Sequence, residues 1–170
     1  MQPAQVPPQS FVPQPPPMRY AGFWRRFVAH LVDQIIVGIA AFVIFIPGLA
    51  LMGVGIGAGI MEESESAIGL IIAAIAAYLV AILLIVIGQW LYYALMESSG
   101  KQATLGKLAL GIVVTDLSGN RISFGRATGR YFGKIVSGMI LCIGYIMAGF
   151  TERKQALHDI MASCLVVLKR

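Results

Sequence analysis

Charged residues are scarce in this 170-residue chain: Asp, Glu, Lys and Arg make up only 12%, whereas 58% of the residues are hydrophobic. Two long segments, residues 34–61 and 67–96, contain no charged residue. Each is longer than the roughly 20 apolar residues that cross a bilayer core. Together with a mean hydropathy of +0.79, this excludes an ordinary soluble domain. The sequence therefore predicts an integral membrane protein.

Cysteine is also rare, with only Cys142 and Cys164. Two cysteines so far apart do not indicate a disulfide framework or a metal site, so we interpret them as structural thiols and expect no metal and no other cofactor. The net charge of +5 could suggest nucleic acid as a partner. The basic residues instead flank apolar segments and form no aromatic-interleaved patch, so we expect no nucleic-acid binding.

Catalytic motifs are missing as well. His30 with Asp33, or His158 with Asp159, could pass for an acid–base pair. No Ser or Cys nucleophile stands at a matching spacing, no His-Glu-x-x-His pattern occurs, and no phosphate-binding loop follows a strand. We therefore expect that the protein is not an enzyme, and we assign no catalytic, cofactor-binding or metal-binding residue.

The chain divides into a leader and a membrane domain. Residues 1–18 hold all but one of the eight prolines and no charged side chain, which favours an extended or disordered segment. We predict a disordered proline-rich cytoplasmic leader at residues 1–19 and a membrane domain at residues 20–170. Within that domain we place membrane spans at about residues 27–48, 68–94 and 133–150.

Glycine and proline affect the predicted form of the first and third spans. The dipeptide Pro47-Gly48 is expected to kink or end the first helix, and Gly55 and Gly59 beyond it form a small-xxx-small pair that permits close helix packing. The third apolar segment is short and rich in glycine, which leaves two alternatives. It is either a re-entrant hairpin that turns near residues 142–144 or a third full crossing.

The segment between the second and third spans combines basic residues with local folding signals. Thr104 is expected to cap a short interfacial helix whose Lys101 and Lys107 face lipid phosphates. The β-branched residues 112–116 predict a strand, which we expect to form a hairpin with residues 121–123 and to pair with the strand-like tail at residues 165–168. The fold class is therefore an all-α membrane protein: two transmembrane helices plus a third apolar segment, with an interfacial helix and a small cytoplasmic β element.

Lys and Arg also predict the orientation. Three precede the first span, none lies in the first connector, six lie between residues 97 and 134, and four lie in the tail. The excess of basic residues on cytoplasmic loops places the N-terminus and the second connector inside the cell. The basic tail and its expected strand pairing favour a cytoplasmic tail, and hence the re-entrant alternative.

Ionisable residues at the start of the first span indicate a functional or structural charge cluster. Arg26, His30 and Asp33 share one helical face, and a carboxylate at that depth is costly unless it is paired. We expect Asp33 to be ionised and paired with an arginine, either Arg26 or Arg130. The predicted charge cluster comprises Arg26, His30, Asp33, Arg126, Arg130, His158 and Asp159.

Four motifs in this order resemble the RDD family of small bacterial membrane proteins. They lie at residues 26–33, 100–107, 126–130 and 153–159, and the resemblance covers nearly all of the chain beyond the leader. On this match Arg26, Asp33 and Asp159 are the arginine and two aspartates that give the family its name. One departure is Ala162-Ser163-Cys164, where a small residue followed by Gly-Thr is common in the family.

The resemblance implies a multi-pass protein of the bacterial inner (cytoplasmic) membrane. So small a helical unit would need to form a homo-oligomer to enclose a pathway. The resemblance implies little agreed function, although a few relatives are linked to cation/proton antiport. Two hypotheses follow. The chain is a structural, accessory or regulatory membrane subunit whose charged residues lock helix ends together, or it is an oligomeric transporter in which Asp33 and its neighbours line a cation or proton pathway.

Overall fold

The computed structural model describes residues 18–61, 65–140 and 143–169 of the chain. The predicted leader therefore falls almost entirely outside the described residues. The elements in chain order are α1 (Phe23–Met61), α2 (Glu65–Ser98), α3 (Leu105–Ala109), β1 (Ile112–Asp116), α4 (Phe124–Met139), α5 (Ile143–Phe150), α6 (Leu157–Met161) and β2 (Cys164–Leu168).

Helices α1 and α2 form a long pair, and both are long and apolar enough to cross a membrane. With 39 and 34 residues, they measure about 58 and 51 Å at 1.5 Å per residue. They confirm the first two spans and extend beyond both predicted ranges. Pro47 lies inside α1, so the alternative that the helix ends there is wrong, and the alternative of a kink stays a prediction. A proline removes only one backbone donor, and a neighbouring membrane helix makes this tolerable.

The α1–α2 pair packs closely at Gly55. A Cβ atom built on Gly55 would lie 2.6 Å from the Cβ of Ala74 in α2, so no larger residue fits without a shift of the helices. Gly59, one turn further along α1, is buried. The close approach at Gly55 thus occurs within one chain, and contacts of this face between copies stay a prediction.

The third apolar segment is bent. Helices α4 and α5 meet at an angle of 102°, and α5 packs against α4 where Gly144 approaches Ser137. The hydroxyl of Tyr145 donates a hydrogen bond to the carbonyl of Lys134 at 2.8 Å and ties the two helices together. The turn was predicted near residues 142–144, and Cys142 itself lies outside the described residues.

The small sheet confirms one expected pairing and corrects the other. Strand β1 pairs with β2 in antiparallel register from Ile112 opposite Leu168 to Asp116 opposite Cys164. The expected hairpin with residues 121–123 is wrong, because these residues form no strand after the tight turn that follows β1. In this turn the Asp116 carboxylate accepts hydrogen bonds from the backbone N–H groups of Ser118 and Asn120. Residues 121–123 then lead directly into α4, whose N-cap is Ser123.

Three distant parts of the chain meet at this sheet. The residues before α1 reach it through the bridge between Tyr20 and Val167 and through the backbone hydrogen bond from Ala21 to Val166 at 2.9 Å. The start of α1, the connector from α2 to α4 and the tail therefore lie at the same end of the α1–α2 pair. A re-entrant third segment produces this arrangement, whereas a third full crossing would separate the tail from the other two.

Candidate functional site

Buried charged groups concentrate at the end of the helices where these three parts meet. Asp33, Glu97, Arg130 and Asp159 are each at most 1% exposed, although they lie on four different helices. Burial of an ionised group is costly unless it is paired and hydrogen-bonded. The partners of each group therefore determine what this site can do.

Asp33 is held by neutral donors rather than by an arginine. Its carboxylate accepts hydrogen bonds from the hydroxyl of Tyr92 at 2.9 Å, from the hydroxyl of Thr104 and from the backbone N–H of Gly106 at 2.7 Å. Among the described residues, Arg26 and Arg130 both pair with another acid, so the predicted arginine pairing of Asp33 is wrong. Helix α3 packs against α1 and brings these donors close enough to replace a counter-charge.

Thr104 and Lys107 both make buried contacts with acids instead of the contacts predicted for them. Thr104 occupies the N-cap position of α3, as predicted, but its side chain makes no capping hydrogen bond because the hydroxyl binds Asp33. Lys107 is only 8% exposed and pairs with Glu97, so the prediction that it faces lipid phosphates is wrong. Burial lowers the pKa of the Lys107 amine to about 8, although the nearby Glu97 opposes this shift. Helix α3 is therefore a packed element that completes the site.

Gly106 makes the close packing of α3 on α1 possible. A Cβ atom at this position would collide with the carbonyl oxygen of Ala29 and would lie 2.9 Å from the Asp33 carboxyl carbon. The absence of a side chain thus lets the N–H of Gly106 reach the carboxylate. The sequence motif at residues 100–107 contains this glycine, but its role is visible only in three dimensions.

Glu97, near the end of α2, is a central residue that the sequence analysis did not single out. Its carboxylate pairs with Lys107, with Arg130 at 3.0 Å and with Lys134 at 3.6 Å. Its position directly after a charge-free segment of thirty residues was the available signal, because an acid at such a boundary needs a partner. The three cations come from α3 and α4, so Glu97 joins α2 to both helices.

Asp159 forms the second centre of the network. It pairs with Arg26 of α1 and with Arg130 of α4 at 2.7 Å, and it accepts the backbone N–H of Ala156 at 3.1 Å. Burial alone would raise the pKa of the Asp159 carboxyl, but Arg130 and Arg26 hold it well below its usual value. Arg130 contacts both Glu97 and Asp159 and thereby links α2, α4 and α6.

The remaining predicted residues lie at the edge of the network or outside it. His158 is buried with its Nδ1 3.3 Å from the Ser137 hydroxyl, and burial lowers its pKa to about 3, so its imidazole is neutral. His30 is exposed, and its Nδ1 lies 3.4 Å from the hydroxyl of Tyr93. Arg126 is exposed on α4 and takes no part in the network.

A cavity of about 520 Å³ opens beside the network. Four cationic side chains line it, together with His30, His158 and a single carboxylate, that of Asp33. The four cations are Arg26, Lys107, Arg130 and Lys134. Against these four positive charges the whole cluster has three negative ones, Asp33, Glu97 and Asp159, which leaves a net charge of 4 − 3 = +1 with the histidines neutral. Within the described part of the chain no three His, Cys, Asp or Glu side chains lie close enough together to hold a metal ion.

Two long apolar helices, a bent third segment and a buried network of ion pairs between helices define a multi-pass membrane protein. The chain belongs to the RDD family, whose model matches residues 20–163.

Two relatives come from Bacillus subtilis strain 168. The chain is 40% identical to "Uncharacterized protein YxaI" over 151 residues, which span 88% of this chain and 97% of the relative. It is 30% identical to "Uncharacterized membrane protein YteJ" over 154 residues, which span 87% of this chain and 80% of the relative. No solved structure matches the chain.

Proposed function

We propose that this chain is a structural, accessory or regulatory subunit of the bacterial inner membrane, with its N-terminus in the cytoplasm. The observation that carries the proposal is the double pairing of Arg130 with Glu97 at 3.0 Å and with Asp159 at 2.7 Å. Both carboxylates are thereby engaged in ion pairs between helices. A carboxylate that serves ion passage must instead be free to bind and release its ion.

The electrostatics of the cavity supports the same proposal. Asp33 is the only carboxylate among its lining residues, and three hydrogen bonds already engage it. The surplus of positive charge around the cavity repels a cation, because the Coulomb energy of like charges is large where water is excluded. Such a cavity is a poor cation pathway.

The distribution of basic residues supports the orientation. The described Lys and Arg residues lie before or at the start of α1, in the connector from α2 through α4, and in the tail. These segments meet at one end of the α1–α2 pair, and an excess of Lys and Arg favours the cytoplasmic side of a membrane.

The alternative is an oligomeric small-ion transporter of the cation/proton antiport type. One observation favours it: Asp33 and His30, two groups that could exchange protons, both line the cavity. The same contacts that engage Asp33 weigh against it.

A flux assay separates the two functions. The purified full chain is inserted into vesicles with an internal pH-sensitive dye and titrated with Na⁺, K⁺ and Li⁺. We expect no response to any of the three cations at verified insertion. A saturable response that disappears in Asp33→Asn and persists in Arg126→Gln, an exposed control, would establish transport instead. An accessory subunit should also migrate, after gentle solubilisation of native membranes, in a larger complex than the purified chain forms alone.

A further inference from the structure

The cavity beside the ion-pair network is partly polar and partly apolar. Its lining includes the four cations, which are largely buried, and apolar side chains such as Phe27 of α1 and Ile146 of α5. These two side chains are 49% and 45% exposed, so the apolar wall continues onto the outer surface of the helices. A cavity with a basic interior and an apolar mouth fits an amphipathic anion.

Two basic groups at this cavity retain donors that the described residues do not fill. The Nε of Arg130 is buried and has no hydrogen-bond partner among them. The amine of Lys134 lies 3.6 Å from Glu97 and 4.0 Å from the centre of the Tyr93 ring. Its nearest carboxylate is already shared with Lys107 and Arg130. A buried donor without a partner carries a desolvation cost that an additional acceptor would remove.

The net charge of the cluster also calls for an additional acceptor at this cavity. Four cations face three carboxylates, and the remaining positive charge lies at a largely buried site. An uncompensated charge in such surroundings is unfavourable unless a counter-ion is bound. An anion with several acceptor oxygens fits this role, because the Lys134 ammonium has three N–H donors and only one carboxylate nearby, at 3.6 Å.

We propose that this cavity binds the phosphate group of an anionic membrane phospholipid, with the acyl chains lying along Phe27 and Ile146. The phosphate accepts hydrogen bonds from the Lys134 amine and neutralises the surplus positive charge at the cavity. The apolar mouth selects a lipid rather than a soluble phosphate. This binding site does not depend on whether the chain is an accessory subunit or a transporter.

Thermal unfolding of the full chain in non-ionic detergent tests the assignment with three ligands. Short-chain phosphatidylglycerol should raise the melting temperature in a concentration-dependent way, since a ligand that binds only the folded state stabilises it. Zwitterionic phosphatidylcholine lacks the net negative charge, and glycerol phosphate lacks the acyl chains. Each should bind with an affinity lower by about tenfold or more. Equal stabilisation by glycerol phosphate would overturn the lipid assignment, and equal stabilisation by phosphatidylcholine would overturn the anionic site.

Two variants locate the binding. Lys134→Gln should weaken phosphatidylglycerol binding by about tenfold, because a charge-assisted hydrogen bond is lost, whereas Lys101→Gln, an exposed lysine outside the cavity, should not. Gly138→Leu places a side chain in the cavity wall without a change of charge, since a Cβ there meets nothing within 4 Å. Gly129→Leu is its control on the same helix and is equally unhindered. Identical affinity in Gly138→Leu and Gly129→Leu would place the lipid elsewhere and overturn the proposal.

Discussion

The backbone N–H of Gly106 donates a hydrogen bond of 2.7 Å to the Asp33 carboxylate, 73 residues earlier in the chain. This contact attaches the short helix α3 to α1 and supplies a donor where sequence alone indicated an arginine. Several hydrogen bonds to a buried carboxylate offset part of the cost of burying it without a counter-charge. The two arginines are thereby available to Asp159, which they bind from α1 and α4.

Gly106→Ala should destabilise the protein. The added methyl group would meet the carbonyl of Ala29 and push α3 away from Asp33. Insertion of extra volume into a packed site generally costs about 1–3 kcal/mol, and the better helix propensity of alanine offsets at most about 1 kcal/mol. Thermal unfolding in detergent measures the change. Gly125→Ala in α4, where a Cβ meets nothing within 4 Å, serves as control and should melt at or slightly above the temperature of the wild type.

Glu97→Gln should be among the most damaging single substitutions in the network. It removes the shared partner of Lys107, Arg130 and Lys134, and removal of one side of a buried ion pair generally costs about 3–5 kcal/mol. The free energy of unfolding should fall by about that amount, whereas Glu152→Gln at an exposed position should have little effect.

A double-mutant cycle tests the cause of this loss. Lys107→Met removes one of the cations that Glu97→Gln leaves unpaired. The double variant should therefore be more stable than the sum of the two single effects predicts, by about 1–3 kcal/mol. Strict additivity of the two changes would contradict the charge pairing between Lys107 and Glu97.

Gly55→Leu should weaken the packing of α1 on α2. A Cβ at Gly55 lies 2.6 Å from that of Ala74, whereas one at Gly53 on the same helix meets nothing within 4 Å. The melting temperature should fall in Gly55→Leu and stay unchanged in Gly53→Leu, with the same cross-linked species in both. A loss of cross-linked oligomer at constant melting temperature would instead assign Gly55 to contacts between copies.

The spans and the strand pairing could be predicted because each depends on one local property. Charge-free segments longer than a bilayer core predict α1 and α2, and the β-branched residues of β1 need a partner, which the strand-like tail offers. The limits of α1 could not be predicted, because Pro47 stands inside it. Whether a proline ends a membrane helix depends on the neighbouring helix, which sequence does not show.

The partners of the buried acids could not be predicted for a different reason. Counts of basic residues indicate that acids will find cations, but not which ones. Arg130 pairs with Glu97 and Asp159, while Asp33 takes a backbone N–H and two hydroxyls. The sequence does not indicate which backbone N–H group will bind a carboxylate, since every residue except proline has one. Side-chain pairing rules therefore led to an arginine at Asp33.

The pH dependence of stability should have a component from His158. Burial lowers the pKa of its imidazole in the folded protein to about 3, compared with about 6.5 in the unfolded chain. Between these values the unfolded state binds the proton and the folded state does not. Stability from this group is therefore fully present above pH 6.5 and decreases as the pH falls toward 3.

The wild type should accordingly lose about 2 kcal/mol of unfolding free energy through this residue between pH 7 and pH 5. His158→Gln keeps a side chain that can hydrogen-bond the Ser137 hydroxyl but cannot titrate, so its stability should change less over the same interval. Measurement above pH 5 keeps the result clear of Asp159, whose lowered pKa places its titration below that range in the folded protein. Arg153→Gln, an exposed change in the same tail, should retain the slope of the wild type. Parallel pH profiles for His158→Gln and the wild type would mean that His158 takes up its proton within the folded network, and that the charge cluster tolerates a further cation.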